Sequence, residues 1–326
     1  MIAVTGATGF LGHNLIPLLR ERGHTVRALV RSGSEHQFLQ DLGVELVFGD
    51  TRDEQAVVQL VTGCEAVIHG AGHFRFWGRY EDFYTTNVQG THHMLEAARR
   101  ADVKRFVHIS TVVVVGAPEG GTIIDEEYPC HPCDDYQHSK LDGEGLVLMY
   151  HEVYHLPVII LRPGAFYGPY GHYAWNRLFF EDPHLRGLRI QIHGGQHLTF
   201  PVFVPDLARV IEAALTRGQP GQTYNVCGPS MTHKDVNAVI SRLLNHSPRF
   251  VNVPEWGMLL LARLMTAAAR FTRREPFYPI NLATYVFNDW IVDSSKAVRE
   301  LGFDPTPFEE GACATLEWYR QMGFFR

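Results

Sequence analysis

Tyr136 and Lys140 stand four residues apart in Tyr136-Gln137-His138-Ser139-Lys140, a spacing that sets a phenol and an ammonium on one face of a helix. A free phenol, with a pKa near 10, is a poor acid or base at neutral pH. A nearby ammonium favours the ionised form and lowers that pKa. Ser110 and Thr111 follow the apolar run Phe106-Val107-His108-Ile109. At the carboxyl edge of a parallel sheet, Thr111 can hydrogen-bond a substrate oxygen beside Tyr136. The chemistry this offers is proton transfer at a carbonyl or hydroxyl oxygen. Its bland competitor is a Tyr and a Lys on the wet side of an amphipathic helix.

A partner for that chemistry is indicated earlier in the chain. Directly after Ile2-Ala3-Val4 comes Thr5-Gly6-Ala7-Thr8-Gly9-Phe10-Leu11-Gly12, and Leu11, Leu15, Leu18 and Leu19 continue at helical spacing. In a strand, turn, helix context Gly6 permits the tight turn and Gly9 a close approach to a pyrophosphate at a helix N-terminus. Gly12 permits packing of that helix on the sheet. The glycine spacing differs by one residue from the common dinucleotide pattern. Where a ribose-binding carboxylate is expected, at the end of the second strand, the chain has Arg31. Arg27, Arg31 and Ser32 suit a 2′-phosphate, so NADP is expected, with NAD as the alternative. Asp50 ends the third strand in Phe48-Gly49-Asp50-Thr51; it is read as facing the adenine edge, against a plain helix cap by Thr51.

The elements that must position these groups follow a βαβα rhythm: Ile2 to Val4, Thr25 to Val30, Val44 to Phe48, Ala66 to Ile68, Phe106 to Ile109 and Val158 to Leu161 alternate with helical stretches. This predicts an α/β fold, a Rossmann-type doubly wound parallel sheet with helices on both faces. After Arg162-Pro163-Gly164 the rhythm fails. The expected division is a dinucleotide-binding domain over 1–164, to which the chain returns at about 202–227, and a smaller, mainly helical substrate lobe from 165–201 and 228–326.

Composition narrows the class. The chain of 326 residues has 45% apolar and 20% charged residues, an ordinary globular balance. With 29 Lys+Arg against 35 Asp+Glu, a net charge of −6 argues against nucleic acid as partner. Protonating all 18 His would carry it to +12, so the surface field depends on pH. Five cysteines and the lack of a leader pattern before Ile2 suit a cytoplasmic protein with reduced thiols. Cys130-His131-Pro132-Cys133 has metal-ligand spacing but no second matched pair, so no metal is expected. The apolar stretch Trp256 to Phe271 is too short to span a membrane. With Arg263, Arg270 and Arg274 it is read as a lobe helix or dimer contact, or as a peripheral membrane contact.

Taken together, these motifs resemble the extended short-chain dehydrogenase/reductase family, whose larger relatives are often labelled NAD-dependent epimerase/dehydratases. The resemblance also covers His69-Gly70-Ala71-Gly72, Asn87-Val88-Gln89-Gly90-Thr91, Leu161-Arg162-Pro163-Gly164 and Val204-Pro205-Asp206. It implies Thr111, Tyr136 and Lys140 as the catalytic triad, Lys140 also holding the nicotinamide ribose. It puts Pro163 and Gly164 near the carboxamide, lines the cofactor with Gly70, Ala71, Gly72 and Ser110, and lets Asn87 brace the site. Homodimers formed through paired helices are common in such relatives. Relatives acting on nucleotide sugars commonly carry an Arg where this chain has Thr199. The predicted substrate pocket is instead aromatic, with Phe74, Trp77, Tyr167 and Tyr173 as candidate contacts. This pattern is most similar to the dihydroflavonol reductase and 3β-hydroxysteroid dehydrogenase members. It implies a small hydrophobic substrate and hydride transfer, the alternative being a nucleotide-sugar epimerase or dehydratase. His73, His172 and His197 fall near the predicted substrate side without a role.

Overall fold

The computed structural model describes residues 1–246, 248–272 and 274–324. Seven strands, β1 (Ile2–Thr5), β2 (Val26–Val30), β3 (Glu45–Phe48), β4 (Ala66–His69), β5 (Arg105–Ile109), β6 (Val158–Pro163) and β7 (Gln222–Val226), form one sheet. Its spatial order is β7-β6-β5-β4-β1-β2-β3, and every pairing is parallel. All four residues of β4 and all six of β6 are buried, as expected for strands covered on both faces, where continuous Val/Ile/Leu runs replace alternation.

Helices α1 (Phe10–Glu21), α2 (Glu54–Val61), α3 (Gly90–Arg100), α4 (Asp135–Tyr154) and α5 (Val204–Ala214) cover the sheet. Leu11, Leu15 and Leu19 of α1 and Leu207 and Ile211 of α5 pack against one face. Val57, Leu60, Met94, Leu95, Val147 and Tyr150 of α2, α3 and α4 pack against the other. The helical chain that leads into β5 is broken: a π-helical turn at Thr85–Gln89 precedes α3. The short strand Pro201–Phe203 lies outside the sheet, paired with Ala165–Tyr167.

Beyond the carboxyl ends of the strands lie two further clusters rich in aromatic side chains. One joins Phe76, Phe200, Tyr278, Tyr285 and Trp290 with Met258 and Ala262 of α6 (Glu255–Thr272) and Leu282 of α7 (Leu282–Val286). The second joins Tyr167, Trp175, Phe179, Phe180 and Phe203 with Leu316 and Tyr319 of α8 (Phe308–Gln321). Among the described residues no helix is long and apolar enough to cross a membrane. Of Arg263, Arg270 and Arg274, the first lies in α6, the last lies two residues beyond its end, and the side chain of Arg270 lies outside the described residues.

Candidate active site

A cleft of about 1210 Å³ crosses the carboxyl ends of the strands, touching the loops that follow β1 to β6 at Gly6, Arg31, Asp50, Gly70, Ser110 and Gly164. This is the edge where open parallel sheets bind ligands. The β1 to α1 turn builds its first wall. Gly6 has φ +78°, and a Cβ there would lie 2.7 Å from the carbonyl of Gly70. Gly9, Thr8, Phe10 and Leu11 line the cleft. Gly9 caps α1 without any side-chain hydrogen bond, leaving the first helical N–H groups open to an anion. Gly12 faces away: a Cβ would lie 2.0 Å from the Ala7 carbonyl oxygen, so its place is packing.

Arg31, Ser34, Glu35, Asp50, Thr51 and Arg52 line the far end. Arg27, expected beside Arg31, is instead held elsewhere. It donates to Glu45 at 2.7 Å and to the carbonyl oxygens of Leu60 and Thr62 at 3.2 and 2.6 Å. Asp50 accepts from Arg52 at 2.7 and 3.2 Å. Burial pushes its pKa up, but the hydrogen bonds and charge of Arg52 outweigh this and hold the carboxyl below its usual range. Gly70, Ala71 and Gly72 line the middle. There the Ser110 hydroxyl oxygen is buried with no protein partner, while Ser110 itself lines the cleft. A glycine cradle, an open helix start and an orphaned hydroxyl are the donors and space that a dinucleotide requires.

Tyr136 enters from the first turn of α4. The Asp134 carboxylate caps that helix by accepting from the Gln137 N–H at 2.8 Å, which fixes where the helix begins. The pKa of Tyr136 is raised, first by burial and then by the Asp134 carboxylate, against a smaller lowering by the Thr111 hydroxyl. One turn on, the buried Lys140 ammonium donates to the Ile109 carbonyl oxygen at 2.7 Å. Burial lowers its pKa to about 8, against the pull of Glu144. The lowering of the Tyr136 pKa expected from Lys140 is therefore reversed in sign. Desolvation and the Asp134 carboxylate set the shift, while the Lys140 hydrogen bond goes to the backbone.

Asn87 and Pro163 do not line the cleft. Asn87, in the π-helical turn, accepts from the His73 N–H at 2.7 Å and donates to the His73 carbonyl at 3.0 Å and the Ser139 hydroxyl at 2.9 Å. It ties the β4 loop to α4. Pro163 ends β6, while Gly164 does line the cleft, where a Cβ would meet the Phe200 carbonyl oxygen at 2.2 Å.

The other end is aromatic. Phe74, Phe76, Trp77, Tyr173, Trp175 and Tyr285 line it, with the Phe74 ring 4.7 Å from Tyr136 and 5.0 Å from Phe76. Tyr173 donates to Glu275 at 2.5 Å, and Arg75 lies 4.8 Å above the Tyr173 ring and 3.7 Å from Glu275. Tyr167, expected in this wall, is buried core between Trp175, Phe203 and Phe308, at 5.1, 5.3 and 5.2 Å. Thr199 uses its hydroxyl to accept from the Trp175 indole at 2.9 Å. His73 lines the cleft. His172 and His197 do not; they pair with Glu181 and with Glu255 and Asp289.

Sequence reasoning did not select Ser34, Glu35 and Arg52 at one end, or His233, Glu275, Leu282, Tyr285 and Val286 at the other. The latter five come from distant stretches of chain that carry no motif. Cys130 lies beside Arg162, which donates to its sulfur at 3.5 Å. Among the described residues no group of three His, Cys, Asp or Glu side chains is arranged to hold a metal.

Known proteins resemble this chain over nearly its whole length. Over 98% of its length the chain is 32% identical to Sterol demethylase protein B of Methylococcus capsulatus, of which it covers 98%. Over 99% it is 28% identical to a putative dihydroflavonol 4-reductase of Synechocystis sp., covering 95% of that protein. The crystal structure of DesIV, a dTDP-glucose 4,6-dehydratase from Streptomyces venezuelae with NAD and TYD bound, superposes with a TM-score of 0.80 at 25% identity. The match covers 100% of this chain and 98% of that one. Residues 2–227, which supply all seven strands of the sheet and the cofactor-type turn, match one family model, and the chain belongs to the NAD dependent epimerase/dehydratase family.

Proposed function

We propose that this protein reduces a carbonyl group, or oxidises the corresponding alcohol, on a hydrophobic small molecule of flavonoid-, sterol- or lipid-like character. The observation that carries the reading is the pairing of the five arginines that could otherwise meet a diphosphate, of which only Arg75 lines the cleft. Arg79 is paired with Asp82, Arg177 with Asp182, and Arg186 with Glu181 and Asp182. Arg189 is bonded to Pro183 and His246. Arg75, which lines the cleft, is matched by Glu275. A nucleotide sugar brings a diphosphate that needs free guanidinium groups, whereas Phe74, Phe76, Trp77 and Tyr173 suit an apolar body. The likeness to a dihydroflavonol 4-reductase and to a sterol demethylase protein supports the same class.

A bound nicotinamide dinucleotide supplies or accepts the hydride at the carbon. Gly6, Thr8, Gly9, Phe10 and Leu11 would hold its phosphates, Gly70, Ala71, Gly72 and Ser110 its middle, and Asp50 and Thr51 its adenine side. The NAD held by solved relatives supports a nicotinamide cofactor; Arg31 at the cleft edge supports NADP as the preferred form. Tyr136, whose raised pKa keeps it protonated at neutral pH, gives its proton to the carbonyl oxygen as charge develops there. Thr111 orients the same oxygen. Lys140, with a pKa of about 8, is mostly charged at pH 7 and offsets the phenolate that proton transfer leaves behind.

The test is NADPH oxidation over a panel of ketones and aldehydes with Tyr136→Phe as control, run beside a nucleotide-sugar panel with product analysis. Turnover of apolar carbonyls that falls about 10²–10⁴-fold in the variant, while NADPH binding is kept, is expected. Turnover of nucleotide sugars alone, or an unchanged rate in Tyr136→Phe, overturns it.

A further inference from the structure

Helix α6 carries two apolar faces where an ordinary surface helix carries one. Met258, Ala262 and Ala269 are buried. Met258 and Ala262 pack in one cluster with Phe76, Leu282 and Tyr285, and those three side chains line the cleft. On the other side Trp256 (71% exposed), Leu260 (52%), Leu264 (61%) and Phe271 (90%) follow at intervals of four, four and seven residues, which makes one stripe. Just ahead of the helix in sequence, Val251 and its register partner Ile190 are exposed too. Among the described residues, seven of the nineteen large exposed apolar or aromatic side chains fall within 251–277. A patch concentrated in this way marks an interaction face.

Charge selects the occupant. Residues 249–274 hold Arg249, Arg263, Arg270, Arg273 and Arg274 against Glu255 alone, in a chain of net charge −6. Arg249, Arg263 and Arg274 are exposed, and Arg263 borders the stripe on the helical wheel, seven residues from Trp256. The Glu255 carboxylate is faced by His197 at 3.0 Å and His193 at 3.7 Å. An apolar stripe with an indole at one end, a phenyl ring at the other and arginines at its border is the surface that an interfacial helix offers to anionic lipid. A two-fold contact through the same stripe would bring two copies of this cationic segment together.

We infer that α6 docks this protein on an anionic bilayer, its outer stripe in the lipid interface. Glu275, three residues beyond the helix, lines the cleft, so docking sets the aromatic end of the cleft beside the lipid. Capture of an apolar substrate from the bilayer rests on the function proposed above; the docking itself does not.

The experiment is co-sedimentation of the full chain with vesicles of equal phosphatidylglycerol and phosphatidylcholine, and with phosphatidylcholine alone. Wild type is expected to sediment with the anionic vesicles and at least tenfold more weakly with the neutral ones or at high salt. The double variant Leu260→Asp, Leu264→Asp should lose at least tenfold in vesicle affinity while its melting temperature and NADPH binding stay at wild-type values. Absence of sedimentation overturns the inference, as does equal binding by the double variant. So does a lipid-free dimer that Leu264→Asp dissociates, which would assign the stripe to a second copy. Vesicle binding that survives a failed carbonyl panel sustains the docking and removes only the proposed reaction.

Discussion

Arg27 and Arg31 lie four residues apart on or just after β2, yet only Arg31 reaches the cleft. On a strand that spacing keeps both side chains on one face but separates them by about 13 Å along the chain direction. Only the residue at the carboxyl end meets a ligand at the sheet edge. Arg31→Ala is therefore expected to weaken NADPH binding about tenfold and leave NADH nearly unchanged, since a phosphate contact is worth roughly 1–2 kcal/mol at an exposed site. Fluorescence titration with both cofactors checks this, and an equal loss for both would remove Arg31 from the phosphate site. Residue types and spacing made Tyr136, Lys140, Thr111 and the glycine turn legible in the sequence. The sign of the Tyr136 pKa shift was not, because burial and the Asp134 carboxylate that set it arise only once α4 packs. Tyr167 shows the same limit: an aromatic after a strand reads alike whether it faces a cleft or, as here, a core.

At the scale of elements, the β1 to α1 unit owes its close packing to the absence of a side chain. Gly12 sits where a Cβ would approach backbone atoms of Ala7 to between 2.0 and 2.7 Å, and backbone cannot swing aside as a flexible side chain can. Gly12→Ala should destabilise by about 1–3 kcal/mol, the range of overpacked sites. Gly145→Ala in α4 meets nothing within 4 Å and should stabilise by about 0.5–1 kcal/mol through helix propensity. Urea midpoints moving in opposite directions are the expected result; a loss in both would show that helix propensity does not govern position 145. The seven strands were legible because buried parallel strands are unbroken apolar runs. The π-helical turn at Thr85–Gln89 has no periodicity of its own, and the wall from Glu275, Leu282 and Tyr285 is assembled by tertiary packing from chain more than 130 residues beyond Tyr136.

For the whole molecule, the abundance of histidine acquires a location. His69, His108, His184 and His233 are largely buried, and burial is the main cause that lowers each pKa, to about 3 for His69 and about 4 for His184 and His233. For such a group the unfolded chain binds the proton first, at about pH 6.5. The stability contribution is complete above that pH and is lost as pH falls toward the folded value. Urea midpoints should accordingly drop between pH 7 and pH 5, before ordinary carboxylates titrate; a flat profile over that range would mean these imidazoles are solvated in the fold. The sheet order carries a different consequence, for synthesis. β6, buried along its whole length, is covered on one edge by β5 and on the other by β7, and the two strands are separated by residues 164–221. During translation, a folded β1 to β6 body must therefore wait for some sixty residues of nascent chain with an apolar strand edge unpaired. That open edge makes the interval before β7 emerges the stage at which this protein is most exposed to aggregation or to chaperone capture.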